Sequence, residues 1–163
     1  MILKISKRFR RFTVFNWLNF FKKDKPEASQ APVVTEFWET IKNFKSSKFD
    51  SPDEPGSGHA MNHDLIRKLD RIRIIIGKPL HISSGYRTKA HNKSLIKRGY
   101  KASKNSSHMQ GLAVDVLCSD DETRFRLVSA ALGQGITRIG IAAGFVHLDV
   151  DINKNQWRMW RYA

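Results

Sequence analysis

The chain has 163 residues, 40% of them hydrophobic, which is enough for one domain with a real core plus a tail. Its 29 Lys and Arg against 15 Asp and Glu give a formal charge of +14 and a pI near 10.2, so its surroundings are expected to be polyanionic: nucleic acid, an anionic membrane or an acidic cell wall. The basic residues are dispersed and no DNA- or RNA-binding motif accompanies them, which argues against nucleic acid. The single cysteine, Cys118, excludes an internal disulfide.

Residues 1 to 30 hold Lys4, Lys7, Arg8, Arg10, Arg11, Lys22, Lys23 and Lys25 against Asp24 and Glu27. The aromatic stretch Phe12 to Phe21 between the basic clusters is too short and too polar to span a bilayer as a helix. The segment has the basic start of a signal peptide, but Lys22-Lys23-Asp24-Lys25 follows rather than a small-residue cleavage site. It reads as a disordered arm, or one that associates with an anionic envelope or membrane surface, in preference to a cleaved signal. Lys25 to Pro32 is a polar, proline-bracketed linker, and the division expected is 1–33 arm and linker, 34–163 folded domain.

Within that domain, Phe37, Ile41 and Phe44 stand at helical spacing over 35–44, and Phe49 to Gly58 is a turn-rich loop. Its acids fit no calcium-binding loop. Asn62 caps a helix carrying Leu65, Leu69, Ile72 and Ile76, stopped by Gly77. A strand over 79–84 turns through Gly85-Tyr86-Arg87-Thr88 into a helix over 89–98. Ser119 begins another helix, with Asp120, Asp121 and Glu122 at its positive end and a packing face of Phe125, Val128 and Leu132. Strands over 137–142 and around His147 follow, joined at Gly144. The order of elements predicts an α+β domain, a small, mostly antiparallel sheet with packed helices.

The chemistry concentrates in two stretches, Ser106 to Asp115 and Phe145 to Asp151. Ala113 to Leu117 is a buried strand by its β-branched, apolar composition, and Gly111 lets the chain turn so that His108 folds back beside Asp115. In the second stretch Val146, Leu148 and Val150 alternate with His147, Asp149 and Asp151, so period two puts the polar three on one face. Carboxylates beside a histidine on a buried strand face call for a compensating cation. Two histidines and one aspartate, His108, Asp115 and His147, are the usual protein ligands of a catalytic zinc with an open fourth position, although such a set also suits other divalent metals. Cys118 reads as a small buried hydrophobe, and His59, His63, His81 and His91 as structural or surface residues.

These motifs resemble the zinc D-Ala-D-Ala carboxypeptidase family. Ser106, His108 and Asp115 match its Ser-x-His-x6-Asp, His147 matches the downstream histidine, and Ser83-Ser84-Gly85-Tyr86-Arg87 matches its arginine turn. The resemblance runs from about Asn43 to Trp157. It implies the fold shared by hedgehog signalling domains and DD-peptidases, one zinc ion, and hydrolysis of D-Ala-D-Ala or L-Ala-D-Glu type bonds in peptidoglycan stem peptides, at the cell envelope of a bacterium or as a phage product acting on a host wall. Arg87 is then expected to stabilise the oxyanion or grip substrate, and Ser106 to hydrogen-bond substrate. Several branches carry an acidic general base three residues before the second histidine; here that position is Gly144. Asp149 is the expected substitute base, with Asp151 second, about 7 Å further along the strand. The alternative, prompted by the hedgehog domains, is a zinc-containing wall-binding or virion structural module without catalysis.

Overall fold

The computed structural model describes residues 33–162; the basic arm, with its expected role at an anionic surface, lies outside the described residues. Four helices are described, α1 (Val33–Glu39), α2 (His63–Ile76), α3 (Lys89–Lys97) and α4 (Asp121–Gly133). Five strands accompany them, β1 (Ile82–Ser84), β2 (Ala113–Leu117), β3 (Arg138–Ile141), β4 (Phe145–Asp149) and β5 (Arg158–Arg161). The sheet order is β1-β2-β4-β3-β5, antiparallel except for the parallel pair β3–β5. The domain is α+β and its sheet mostly antiparallel, as the sequence predicts; β5 is an addition that the sequence reading does not anticipate. Among the described residues no helix is long and apolar enough to cross a membrane.

Alternation along the strands divides the sheet into two chemistries. Val114, Val116, Ile139, Val146 and Leu148 are buried in one cluster with Leu65, Leu69 and Ile72 of α2 and Leu127 of α4. The intervening Asp115 and His147 therefore project from the other face. Helix α2 forms where expected: the Asn62 side chain accepts from the Leu65 amide at 3.0 Å, and Gly77 closes the helix in the left-handed region at φ 70°.

Two local expectations are corrected. Helix α1 ends at Glu39 rather than running to residue 44, because the Thr40 and Ile41 amides bond back three residues to Phe37 and Trp38, and the buried Asp70 carboxylate then accepts from the Asn43 amide at 2.8 Å. Ile41 and Phe44 are still buried, from the chain that follows the helix. Helix α4 is capped by Asp120, not Ser119, and buries Leu127, Ala130 and Ala131, while Phe125 is 74% exposed. The two stripes lie side by side on the helix. The small alanines allow α4 to approach α2 closely, an advantage that a ranking by hydrophobicity overlooks.

Candidate metal centre

Each residue of the His-Asp-His set is placed by a separate local device. Asp115 on β2 and His147 on β4 are direct cross-strand partners, which sets their side chains beside each other on the face away from the core. His108 sits on a single 3₁₀ turn, Ser107–Gln110, ended by Gly111 at φ 68°. Its ring is anchored by the β1–α3 turn: Nδ1 lies 2.7 Å from the Gly85 carbonyl oxygen, and the Arg87 amide donates to the His108 carbonyl at 3.1 Å. A carbonyl only accepts, so Nδ1 carries the hydrogen and Nε2 turns a lone pair toward the cluster. Gly85 itself has no room for a side chain, since a Cβ there would lie 2.6 Å from the Phe49 backbone.

The result is a compact triangle. His147 Nδ1 is 2.8 Å from Asp115 Oδ1, and His108 Nε2 is 3.3 Å from each of these atoms. Ligands about 2.0–2.1 Å from a tetrahedral zinc stand about 3.3 Å apart, so the three atoms span one face of such a tetrahedron and the donor set fits the ion. All three residues are buried, and they are the one group of this kind among the described residues. Burial alone would raise the pKa of Asp115, but the adjoining His108 and His147 hold it well below the usual carboxylate range. Burial lowers the pKa of His108 and keeps the ring neutral, as a ligand must be. For His147 burial acts in the same direction, but the carboxylates of Asp115 and Asp149 outweigh it and raise its pKa.

Arg87 stands at the outer oxygen of the triangle, Nη2 2.6 Å from Asp115 Oδ2, with Nε donating to Ser84 Oγ at 2.8 Å. Asp149 lies on the opposite side of His147, its Oδ2 3.7 Å from Nε2. The same carboxylate accepts from Ser107 Oγ at 3.0 Å, Arg138 Nε at 3.2 Å and the Asp151 amide at 2.7 Å. Asp151 is drawn into the network, sharing Ser107 Oγ at 3.2 Å, and Lys154 Nζ donates to that hydroxyl at 2.7 Å. Ser106 is buried at the cleft wall, whereas the neighbouring Ser107 makes the polar contacts just described.

The triangle opens on a cleft of about 1100 Å³. One wall includes α3 and the stretch to Ser106; the other brings Phe145, Trp160 and Tyr162 over the sheet. His91, read from sequence as structural, lines the cleft. Arg138, Lys154, Trp160 and Tyr162 also line it and are not singled out by the sequence motifs. Signals for three of them exist: buried Asp149 requires a cation on a neighbouring strand, which Arg138 supplies, and Arg158, Trp160 and Tyr162 alternate with the period of a strand. Gly144 is exposed with open space around it and contributes no carboxylate.

A buried pair of imidazoles and one carboxylate lining an open cleft is a group that could hold a metal ion with room for a substrate beside it. The chain belongs to the peptidase M15 family, whose model matches residues 34–149, and by that membership it is a metallopeptidase. Among solved structures it is similar to the L-Ala D-Glu endopeptidase ChiX of Serratia marcescens, at 19% identity and a TM-score of 0.45, over 58% of this chain and 83% of that one. No curated protein sequence matches it.

Proposed function

We propose that the protein hydrolyses amide bonds in peptidoglycan stem peptides, of the D-Ala-D-Ala or L-Ala-D-Glu type, with one zinc held by His108 Nε2, Asp115 Oδ1 and His147 Nδ1. The observation that carries this reading is the ligand triangle at the floor of a cleft whose lining charges are Arg87, Lys101, Arg138 and Lys154 against Asp115 and Asp149. Such a balance favours a peptide bearing free carboxylates, as stem peptides do. Zinc bound there would supply a Lewis acid and lower the pKa of a coordinated water toward neutrality.

The chain's own residues divide the remaining work. Arg87 holds Asp115 Oδ2 so that Oδ1 is presented to the ion, and keeps a permanent positive charge at the cleft for substrate oxygens. Ser106 offers a small polar wall beside it. Asp149 was expected as general base, but its carboxylate lies by His147 Nε2, away from the ligand atom, and is filled by Arg138, Ser107 and the Asp151 amide. That position supports an orienting role, in which the carboxylate fixes the imidazole with Nδ1 facing the metal. Residues 1–33 we assign to recruitment at an anionic envelope. Deleting residues 1 to 30 should weaken binding to anionic vesicles without slowing cleavage of a soluble peptide, and unchanged binding sinks that assignment.

The test is mass spectrometry of purified peptidoglycan fragments incubated with zinc-loaded wild type and with His147→Ala. Release of D-alanine or of shortened stems by wild type alone establishes the activity and names the bond. One bound zinc with intact fragments would instead establish the non-catalytic module.

A further inference from the structure

Tyr162 follows the last strand, and its amide donates to the Ile141 carbonyl at 2.8 Å, continuing the parallel β3–β5 ladder by one residue. Trp160 pairs with Gly140, and Gly140 pairs in turn with His147, so the site face of β5 leads straight toward the metal triangle. The absence of a side chain at Gly140 makes this approach possible. A Cβ there would stand 2.6 Å from Tyr162 Cε2 and 2.8 Å from Trp160 Nε1. The Tyr162 ring crosses that gap, 5.3 Å from Phe145 and edge-on to His147 at 6.4 Å between centroids.

The Trp160 indole packs beside Tyr162, ring centroids 6.2 Å apart, and both residues line the cleft. The phenol carries a hydrogen that it can donate to a partner in the cleft. Arg87, the other donor beside the triangle, already commits Nη2 to Asp115 and Nε to Ser84.

We propose that Tyr162 is a catalytic residue whose hydroxyl donates a hydrogen bond to the oxygen that gains negative charge as the scissile carbonyl becomes tetrahedral. The inference rests on the peptidase reading and names a further participant in that reaction. A donor already set in the cleft wall needs little reorganisation during the reaction, which is the condition for this kind of stabilisation. Trp160 and Gly140 are positioning residues in this arrangement, one packing against the phenol ring and the other leaving it space.

The experiment uses the full chain loaded with zinc, wild type against Tyr162→Phe, which keeps the ring and its packing. Muropeptide turnover and calorimetric binding of a phosphinate pseudopeptide of the cleaved bond are measured together. Loss of one oxyanion donor typically lowers kcat by about 10²–10³-fold. The expected result is a fall of that order with KM nearly unchanged, one zinc per chain retained, an unaltered thermal midpoint and weaker phosphinate binding. Wild-type turnover and phosphinate affinity in Tyr162→Phe, or a change confined to KM, would overturn the inference while leaving the peptidase reading intact. A wild type that cleaves nothing would overturn that reading, and the inference with it.

Discussion

Asp115 and His147 face each other across β2 and β4 with Oδ1 and Nδ1 2.8 Å apart, and His108 Nε2 closes the triangle at 3.3 Å from both. In the proposed site all three atoms hold the zinc, and in Asp115→Asn the anionic one becomes a neutral amide that binds the cation weakly. The variant should retain well under one zinc per chain after dialysis against a weak chelator, where wild type retains one. Equal metal content in the two proteins would remove Asp115 from the ligand set.

The two roles considered for Asp149 separate cleanly in Asp149→Asn. Loss of an orienting carboxylate costs about 10–100-fold in metal affinity or activity, and saturating zinc should recover much of the turnover. Loss of a general base would leave zinc affinity intact and abolish turnover at any zinc concentration. Chelator competition alongside a zinc titration of activity distinguishes the two.

Acid stability provides an independent reading of the same network. Burial would raise the pKa of Asp149, but the nearby His147 ring and the bonds from the Asp151 amide and Ser107 lower it from 3.8 to about 2. A carboxylate whose folded pKa is depressed contributes stability that is fully present above its unfolded pKa and is lost as pH falls through the folded one. For this group the window runs from about pH 4 down to about pH 2, and the contribution is about 2 kcal/mol. Urea unfolding of metal-free wild type and Asp149→Asn should show stabilities that converge across that window. A gap between them that stays constant with pH would contradict the assignment.

Much of the centre was legible because its devices are local. His108, Gly111 and Asp115 lie within eight residues, and period two on β4 puts His147 and Asp149 on one face. The role of Asp149 was less legible, because a shared strand face does not tell which ring nitrogen of His147 a carboxylate meets. Arg138, Trp160 and Tyr162 come from strands whose partners are set by long-range register, and the parallel pairing of β5 with β3 has no local signature. Helix α4 misled for a different reason: Ala130 and Ala131 bury a surface chosen for closeness of approach, while Phe125 and Leu132 carry the stronger apolar signal outward.

The glycines offer a last test of how the fold serves the metal. Gly85 touches the backbone of Phe49, where a Cβ would meet Cα and O at 2.6 Å, and its carbonyl is also the acceptor for His108 Nδ1. Backbone cannot swing aside as a side-chain tip can, so Gly85→Ala must shift the turn that orients the ligand. Overpacking of this kind costs about 1–3 kcal/mol, and here the damage should extend to zinc affinity. Gly133, at the end of α4, meets nothing within 4 Å and has no positive φ, so Gly133→Ala should raise stability by about 0.5–1 kcal/mol through backbone entropy. Thermal melts and chelator competition on both variants test this directly. Gly85→Ala should lose stability and metal together and Gly133→Ala neither, whereas a Gly85→Ala protein with wild-type zinc affinity would show that the turn does not hold His108 in place.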